Sequence, residues 1–221
     1  MGSNPIGSTM PEGKFLEDVT VLEGLEPVRK RPAMYVGDTS GSPALTALVM
    51  EPLCLAIDES TGGPASEVTI TLLDDDTVRV TNNGAGLPLG GNRYGTFIEN
   101  IMTKLHACRD VKHEEAHKKW CGLGVAIVCA LSELVIVRTA RDGGVWEQRF
   151  EHGRITGPIE HKGKGTETWT GITFKFDRTI LTGTLDVVAI GQRVREFEAD
   201  IPCTRVLLQD MRKSNSRESD V

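Results

Sequence analysis

Apolar side chains recur at helical spacing over residues 44–60, at Leu45, Leu48, Val49, Leu53, Ala56 and Ile57, which predicts a helix with one buried stripe. The period then changes. Val68, Ile70 and Leu72 alternate with Thr69 and Thr71, the pattern of a half-buried strand over 67–73. Asp74-Asp75-Asp76 makes a turn, and Val78 and Val80 continue the alternation, so the two runs form a hairpin. Residues 95–107 return to helical spacing through Phe97, Ile98, Ile101, Met102 and Leu105, and residues 124–132 form a short apolar helix after a glycine loop. Between them, 108–121 is polar and charged. The second half reads mainly as sheet: strands at 133–140, 144–151 and 168–176, a turn at Arg141-Asp142-Gly143, a helix at 184–198 and a last strand marked by Val206 and Leu208. Helices and strands mix without a strict strand–helix repeat. This predicts an α+β two-layer sandwich, a mixed and mostly antiparallel sheet covered by helices on one face.

Composition narrows the picture. A chain of 221 residues at 39% hydrophobic suffices for one domain with a real core. Residues 18–211 are expected to form it, with 1–17 as a flexible arm or expression remnant and 212–221 as a flexible tail. The net charge of −6 announces no basic surface, so direct DNA binding is not expected, and Arg29-Lys30-Arg31 reads as a solvated face. No apolar run approaches the roughly 20 residues of a membrane helix, and the polar start lacks a signal-peptide core. The five cysteines, Cys54, Cys108, Cys121, Cys129 and Cys203, are irregularly spaced, and Cys54 and Cys129 sit in apolar helical patterns. Buried reduced thiols and a cytoplasmic location are the expectation.

Three stretches carry candidate chemistry. Asn82-Asn83-Gly84-Ala85-Gly86-Leu87-Pro88 follows a strand, and its glycines let backbone approach a ligand closely. Gly122-Leu123-Gly124 opens an apolar helix, where backbone N–H groups suit phosphate. Thr170-Gly171 opens a strand. A fourth, His113-Glu114-Glu115-Ala116-His117, matches the HExxH pattern in which two histidines on one helical face bind Zn²⁺ and the glutamate acts as base, with Cys108 and Cys121 as flanking donors. The competing reading is an exposed, charged loop.

The order of these pieces is more specific than any of them alone. Leu25-Glu26-Pro27-Val28-Arg29-Lys30-Arg31-Pro32-Ala33-Met34-Tyr35-Val36-Gly37-Asp38-Thr39 closely resembles the opening signature of the gyrase and topoisomerase IV B subunits. Ala56-Ile57-Asp58-Glu59, Asn82–Pro88, Leu105-His106-Ala107, Gly122–Ser132, Arg141-Asp142-Gly143, Phe150-Glu151-His152-Gly153 and Thr170-Gly171 resemble later segments of that family, in unbroken order over roughly residues 18–212. The family belongs to the GHKL ATPases. The resemblance implies their fold, with ATP between helices and lid, and a type II topoisomerase ancestry.

Residue by residue, the resemblance implies an eroded site. Glu51 falls on the family's general base. Leu55, one turn on, stands where the family has its magnesium-binding asparagine, and leucine supplies no oxygen to Mg²⁺. Asp58 lies further along the same helix. Asn82 replaces the aspartate that accepts the adenine amino proton, keeping an acceptor but losing the charge. Ala85 replaces an arginine, Cys121 a histidine and Ile172 a threonine, while Lys119 and Trp120 stand near a further glycine. Gly84, Gly86, Leu87, Pro88, Gly122, Leu123, Gly124 and Val125 retain the positions that surround nucleotide, Thr170 keeps the hydroxyl near the adenine amine, and Arg141 resembles the arginine that contacts aminocoumarin drugs. Pro52 removes an N–H from the helix and clashes with the Leu48 carbonyl, which predicts a kink or restart displacing Glu51. The expected function is a gyrase-B-like ATP-binding domain with weak or no hydrolysis. The alternatives are a pseudo-ATPase or repurposed protein holding an apolar small molecule, or a metal-dependent enzyme using the histidine pair. A gyrase A-type or self partner follows from the same resemblance. The 221 residues lack the family's transducer and DNA-cleavage domains, which suits either a fragment of a longer subunit or a stand-alone protein.

Overall fold

A computed structural model of the chain describes residues 22–60, 67–105, 107, 124–202 and 204–212, with the side chains of 54–60 outside the description. Ten strands and six helices are described. The main sheet runs β10 (Arg205–Asp210), β1 (Glu67–Leu72), β2 (Thr77–Asn82), β9 (Trp169–Phe176), β5 (Ser132–Arg141), β6 (Gly144–Glu151) and β7 (Arg154–Ile155), with β8 (Glu160–Lys164) also on β6. Only β1–β10 is parallel among these described pairs; the rest are antiparallel. β3 (Gly91–Asn92) and β4 (Gly95–Thr96) make a separate two-stranded hairpin. The expected mostly antiparallel α+β architecture is what the chain adopts.

Alternation decides which face is covered. Val68, Ile70 and Leu72, then Val78 and Val80, Val135 and Val137, and Ile172, Phe174 and Phe176 are buried on the same face, where Phe174 and Phe176 meet edge to face at 5.4 Å. Helices α1 (Glu26–Lys30), α3 (Ser42–Ser60), α4 (Phe97–Thr103), α5 (Val125–Ala130) and α6 (Val187–Asp200) pack on that face or on one another; α2 (Ala33–Val36) leans on α3. The hairpin parity read from residues 67–80 therefore becomes the floor of the core. On the opposite face Glu147 is buried among cations, 2.5 Å from Arg138 Nε and 2.9 Å from Arg149 Nε. Burial works against its charge, but the two guanidiniums hold its carboxyl below the usual range.

Three helices differ from the sequence pattern for local reasons. No restart occurs at Pro52: α3 runs as one helix from Ser42 to Ser60, anchored by Leu45, Leu48, Val49 and Leu53, each fully buried and stabilising by about 1.5–3 kcal/mol. The packed stripe on both sides of Pro52 outweighs the lost backbone bond. Helix α4 is shorter than 95–107. A capping box fixes its start, with Thr96 Oγ1 accepting from the Glu99 N–H and Glu99 Oε2 from the Thr96 N–H, and the extended backbone of Lys104 ends it. Helix α6 starts at Val187 rather than 184 because the Asp186 carboxylate caps it, accepting from the N–H groups of Val188 and Ala189.

Candidate functional site

Helix α5 has all six residues buried and packs against α1, α3, α4 and β5. Charged groups meet it at both ends. At its start Gly124 adopts φ +84°, a backbone region that favours glycine, and its N–H donates to Glu51 Oε2 at 2.8 Å. Glu51, directly before Pro52, thus meets the glycine loop through this bond. Gly124 and Val125 are the described members of that loop, Val125 being buried. Cys121, Gly122 and Leu123 lie outside the described residues, as do His113 and His117. Leu55 and Asp58 are placed on the α3 backbone, with their side chains outside the description.

The second part of the site is a row across three strands. Asn82 at the end of β2 pairs with Thr170 on β9, which pairs with Thr139 on β5. All three are buried and share the helix-covered face. Asn82 Oδ1 accepts from the Gly84 N–H at 2.8 Å, so one lone pair of the proposed adenine acceptor holds its own turn. Thr139 is the hub that the sequence reading missed. Its Oγ1 accepts from the Leu87 N–H at 2.8 Å, lies 3.2 Å from the Trp169 carbonyl oxygen and 3.4 Å from Thr170 Oγ1. The signal was in the strand parity, since Thr139 continues the buried series Val135, Val137. Gly86, at φ +75°, passes so close that a Cβ would strike the Ala140 carbonyl oxygen. Arg141 Nη1 donates to the Gly86 carbonyl at 2.8 Å, so this arginine secures the turn besides standing beside it. Pro88 follows, half-buried. Asn82, Gly84, Gly86, Leu87, Arg141 and Thr170 are therefore brought together. Helix α3, which carries Glu51, packs on both β2 and α5.

A different constellation closes the far end of α5. Arg29 Nη1 donates to the Ala130 carbonyl and Nη2 to Asp177 Oδ2, both at 2.6 Å. His152 Nδ1 lies 3.1 Å from the same oxygen, and Asp177 Oδ1 accepts from the Thr179 N–H and hydroxyl. Burial disfavours the Asp177 charge, yet Thr179 and Arg29 outweigh it and bring its pKa down to about 2. A cleft of about 1220 Å³ runs beside this cluster, lined by Leu25, Arg29, Lys104, His152, Arg154 and Ile180 among others, and includes none of the site residues inferred from sequence. Nearby Cys129 is the buried thiol expected from its pattern; burial pushes its pKa up to about 12, which leaves it unreactive.

Among the described residues no group of three or more His, Cys, Asp or Glu side chains is placed to hold a metal ion. Nor is any described helix long and apolar enough to cross a membrane.

No family model matches the chain. Individual relatives do. The DNA gyrase B subunit of Thermotoga maritima is 36% identical over 200 residues, covering 88% of this chain and 31% of the relative. The DNA topoisomerase 4 B subunit of Staphylococcus aureus is 33% identical over 210 residues, 91% of this chain and 31% of the relative. The chain is a divergent homologue of these B subunits. It spans about a third of their length. The B-subunit likeness covers both ends of α5, the glycine loop as well as the Arg29–Asp177 cluster, since the matched span takes in about nine-tenths of the chain.

Proposed function

We propose that the row Asn82–Thr170–Thr139 and the glycine loop form a nucleotide pocket of gyrase-B type that takes an adenine-like ring and turns over ATP slowly or not at all. The observation that carries this reading is the buried Asn82–Thr170 pair, an amide and a hydroxyl side by side at the base of a glycine turn. A planar ring with adjacent donor and acceptor groups matches such a pair.

The phosphate end suits ATP less well. Mg²⁺ demands hard oxygen ligands in octahedral array, and the α3 position that resembles the family's magnesium-binding asparagine is Leu55, which has no oxygen to give. Glu51 is half-buried and its carboxylate already accepts a hydrogen bond from the Gly124 N–H, an engagement that competes with its use as a base for attacking water. The residues present fit the adenine base better than the metal triphosphate. The same features favour a neutral, flat aromatic ligand as the second reading: Ala85 brings no guanidinium, and Asn82 no negative charge. The relatives are by name subunits, and we place this chain likewise beside a gyrase A-type partner or a second copy.

Titration calorimetry and steady-state turnover with Mg-ATP test the reading together. Weak binding with turnover far below that of an intact gyrase B subunit is expected; comparable turnover overturns it. Leu55→Asn alone is expected to leave activity unrestored. The combination Pro52→Val, Leu55→Asn and Asn82→Asp is expected to tighten nucleotide binding, and no gain in the triple variant would refute the assignment of the pocket.

A further inference from the structure

We propose that the face of the main sheet left uncovered by the described helices is a docking surface for an acidic protein segment, whose carboxylates are gripped by the guanidinium forks of Arg79, Arg138 and Arg149. This surface lies on the side of the sheet away from the Asn82–Thr170–Thr139 row and is independent of the function proposed above.

Strand parity brings the three arginines together. Val78, Val80, Val135, Val137 and Phe150 are buried in the core, so Arg79, Ile136, Arg138 and Arg149 stand on the other face. Arg79 pairs with Thr173, Thr173 with Ile136 and Ile136 with Arg149, so one row crosses β2, β9, β5 and β6 with an arginine at each end. Three strand spacings, about 14 Å, separate those ends. Arg138 joins from the next row, opposite Glu147. Each guanidinium is tethered by its Nε: Arg79 donates to Thr173 Oγ1 at 3.2 Å, Arg138 to Glu147 Oε2 at 2.5 Å and Arg149 to Glu147 Oε1 at 2.9 Å. Among the described residues nothing accepts from their Nη groups. The side chains are thus held in place while the paired Nη donors that suit a carboxylate stay open. Arg138 and Arg149 remain 54% and 55% exposed.

The carboxylates already on this face are spent. Glu147 is buried between its two arginines, Glu160 pairs with Lys162 and Glu133 with Lys175, while Glu151 stands at the margin, two residues beyond Arg149. Two observations select an acidic polypeptide over a phosphate chain. Arg138 and Arg149 hold one carboxylate between them, which shows the group their spacing fits. Ile136, half-buried, sits between Thr173 and Arg149 in the row, with Leu134 two residues along the same face. An apolar floor among guanidiniums matches acidic side chains interspersed with apolar ones and offers nothing to a sugar-phosphate backbone.

The test follows fluorescence anisotropy of three labelled probes at about 0.15 M salt: a glutamate-rich peptide with interspersed leucines, its lysine counterpart, and a single-stranded oligothymidylate. The parent chain is expected to bind the glutamate peptide at least about tenfold more tightly than either other probe. The double variant Arg138→Lys, Arg149→Lys keeps the counter-charges of Glu147 but lacks the forks, and is expected to bind it about tenfold more weakly. Arg79→Gln, which gives up only the bond to Thr173, is expected to weaken it about threefold. No preference for the glutamate peptide overturns the proposal, and oligothymidylate binding as tightly would make this a phosphate surface instead. Parent-like affinity in the double variant, or in Arg79→Gln should the double variant fold poorly, overturns it as well.

Discussion

The two ends of helix α5 each carry a carboxylate, and they are built to opposite standards. Asp177, at the far end, is almost fully buried and engaged on every side: Arg29 on one oxygen with His152 beside it, and Thr179 on the other by two donors. Glu51, at the glycine-loop end, is only half-buried and accepts a hydrogen bond from the Gly124 backbone amide. A buried charge is tolerable only when its surroundings repay the lost hydration, and the Asp177 cluster does so by joining α1, β9 and the β6–β7 turn. A half-exposed carboxylate on a glycine amide ties down much less. The difference separates a buried charge surrounded by donors from three elements from a half-exposed one at a loop.

The comparison breaks most visibly at Asp177. Replacing it by alanine leaves Arg29 part-buried with its counter-charge gone and frees Thr179, and is expected to cost about 3 kcal/mol. For a domain of this size that is a fall in Tm of about 8 °C by calorimetry. Adenosine affinity of the folded fraction is expected to stay the same. A loss below about 1 kcal/mol would mean that the cluster is as dispensable as a surface pair.

The contrast also explains which features were readable beforehand. Strands β1, β2, β5, β6 and β9 declare themselves because one face is buried, so Val68, Ile70, Val78, Val80, Val135 and Val137 alternate visibly. The β8 segment, Glu-His-Lys-Gly-Lys, carries no such pattern; it is a strand because β6 offers it an edge, with Trp146 paired to His161 in register and their rings 4.8 Å apart. The two-residue strands β3, β4 and β7 are too short for any periodicity. In the site, Asn82 and Thr170 were found through resemblance, and the structure pairs them. Thr139 escaped because a threonine in a strand usually signals β propensity alone. The Arg29–Asp177–His152 cluster escaped because its members lie 148 and 25 residues apart along the chain, and no local pattern links them.

Gly86 gives the next effect in size. Alanine there requires a left-handed backbone and drives its Cβ into the Ala140 carbonyl oxygen, with Thr139 Oγ1 at 3.0 Å. The strand must shift or the turn must lift, and a loss of about 2.5 kcal/mol is expected in urea unfolding. Unlike Asp177→Ala, this variant should also weaken adenosine binding, since the same turn bears Gly84 against Asn82. Wild-type adenosine affinity in Gly86→Ala would detach the turn from the pocket.

Acid distinguishes the clusters without mutation. Asp177 has a folded pKa of about 2 against an ordinary 3.8, so its contribution is complete above roughly pH 5 and declines as pH falls through 4 toward 2. Below the folded value it is gone. The shift corresponds to about 2 kcal/mol. Urea midpoints at pH 6, 4, 3 and 2 should trace that decline, and Asp177→Asn should flatten this part of the curve. A slope that persists unchanged in Asp177→Asn would assign the acid sensitivity to other carboxylates, Glu147 first among them.

The smallest effect on stability is expected at Glu51. Alanine removes the bond to the Gly124 amide, a net loss of about 1 kcal/mol or less for a half-exposed acceptor whose donor water can reach. Alanine is also the better helix former, which recovers a few tenths of a kcal/mol within α3. The two nearly cancel, and Tm should move by no more than about 2 °C. That near-silence gives the comparison its sharpest form, because Asp177→Ala should lower Tm several times further while leaving adenosine affinity alone. If Glu51→Ala costs as much stability as Asp177→Ala, the carboxylate on Gly124 is a structural clamp like its counterpart, and the contrast between the two ends of α5 does not hold.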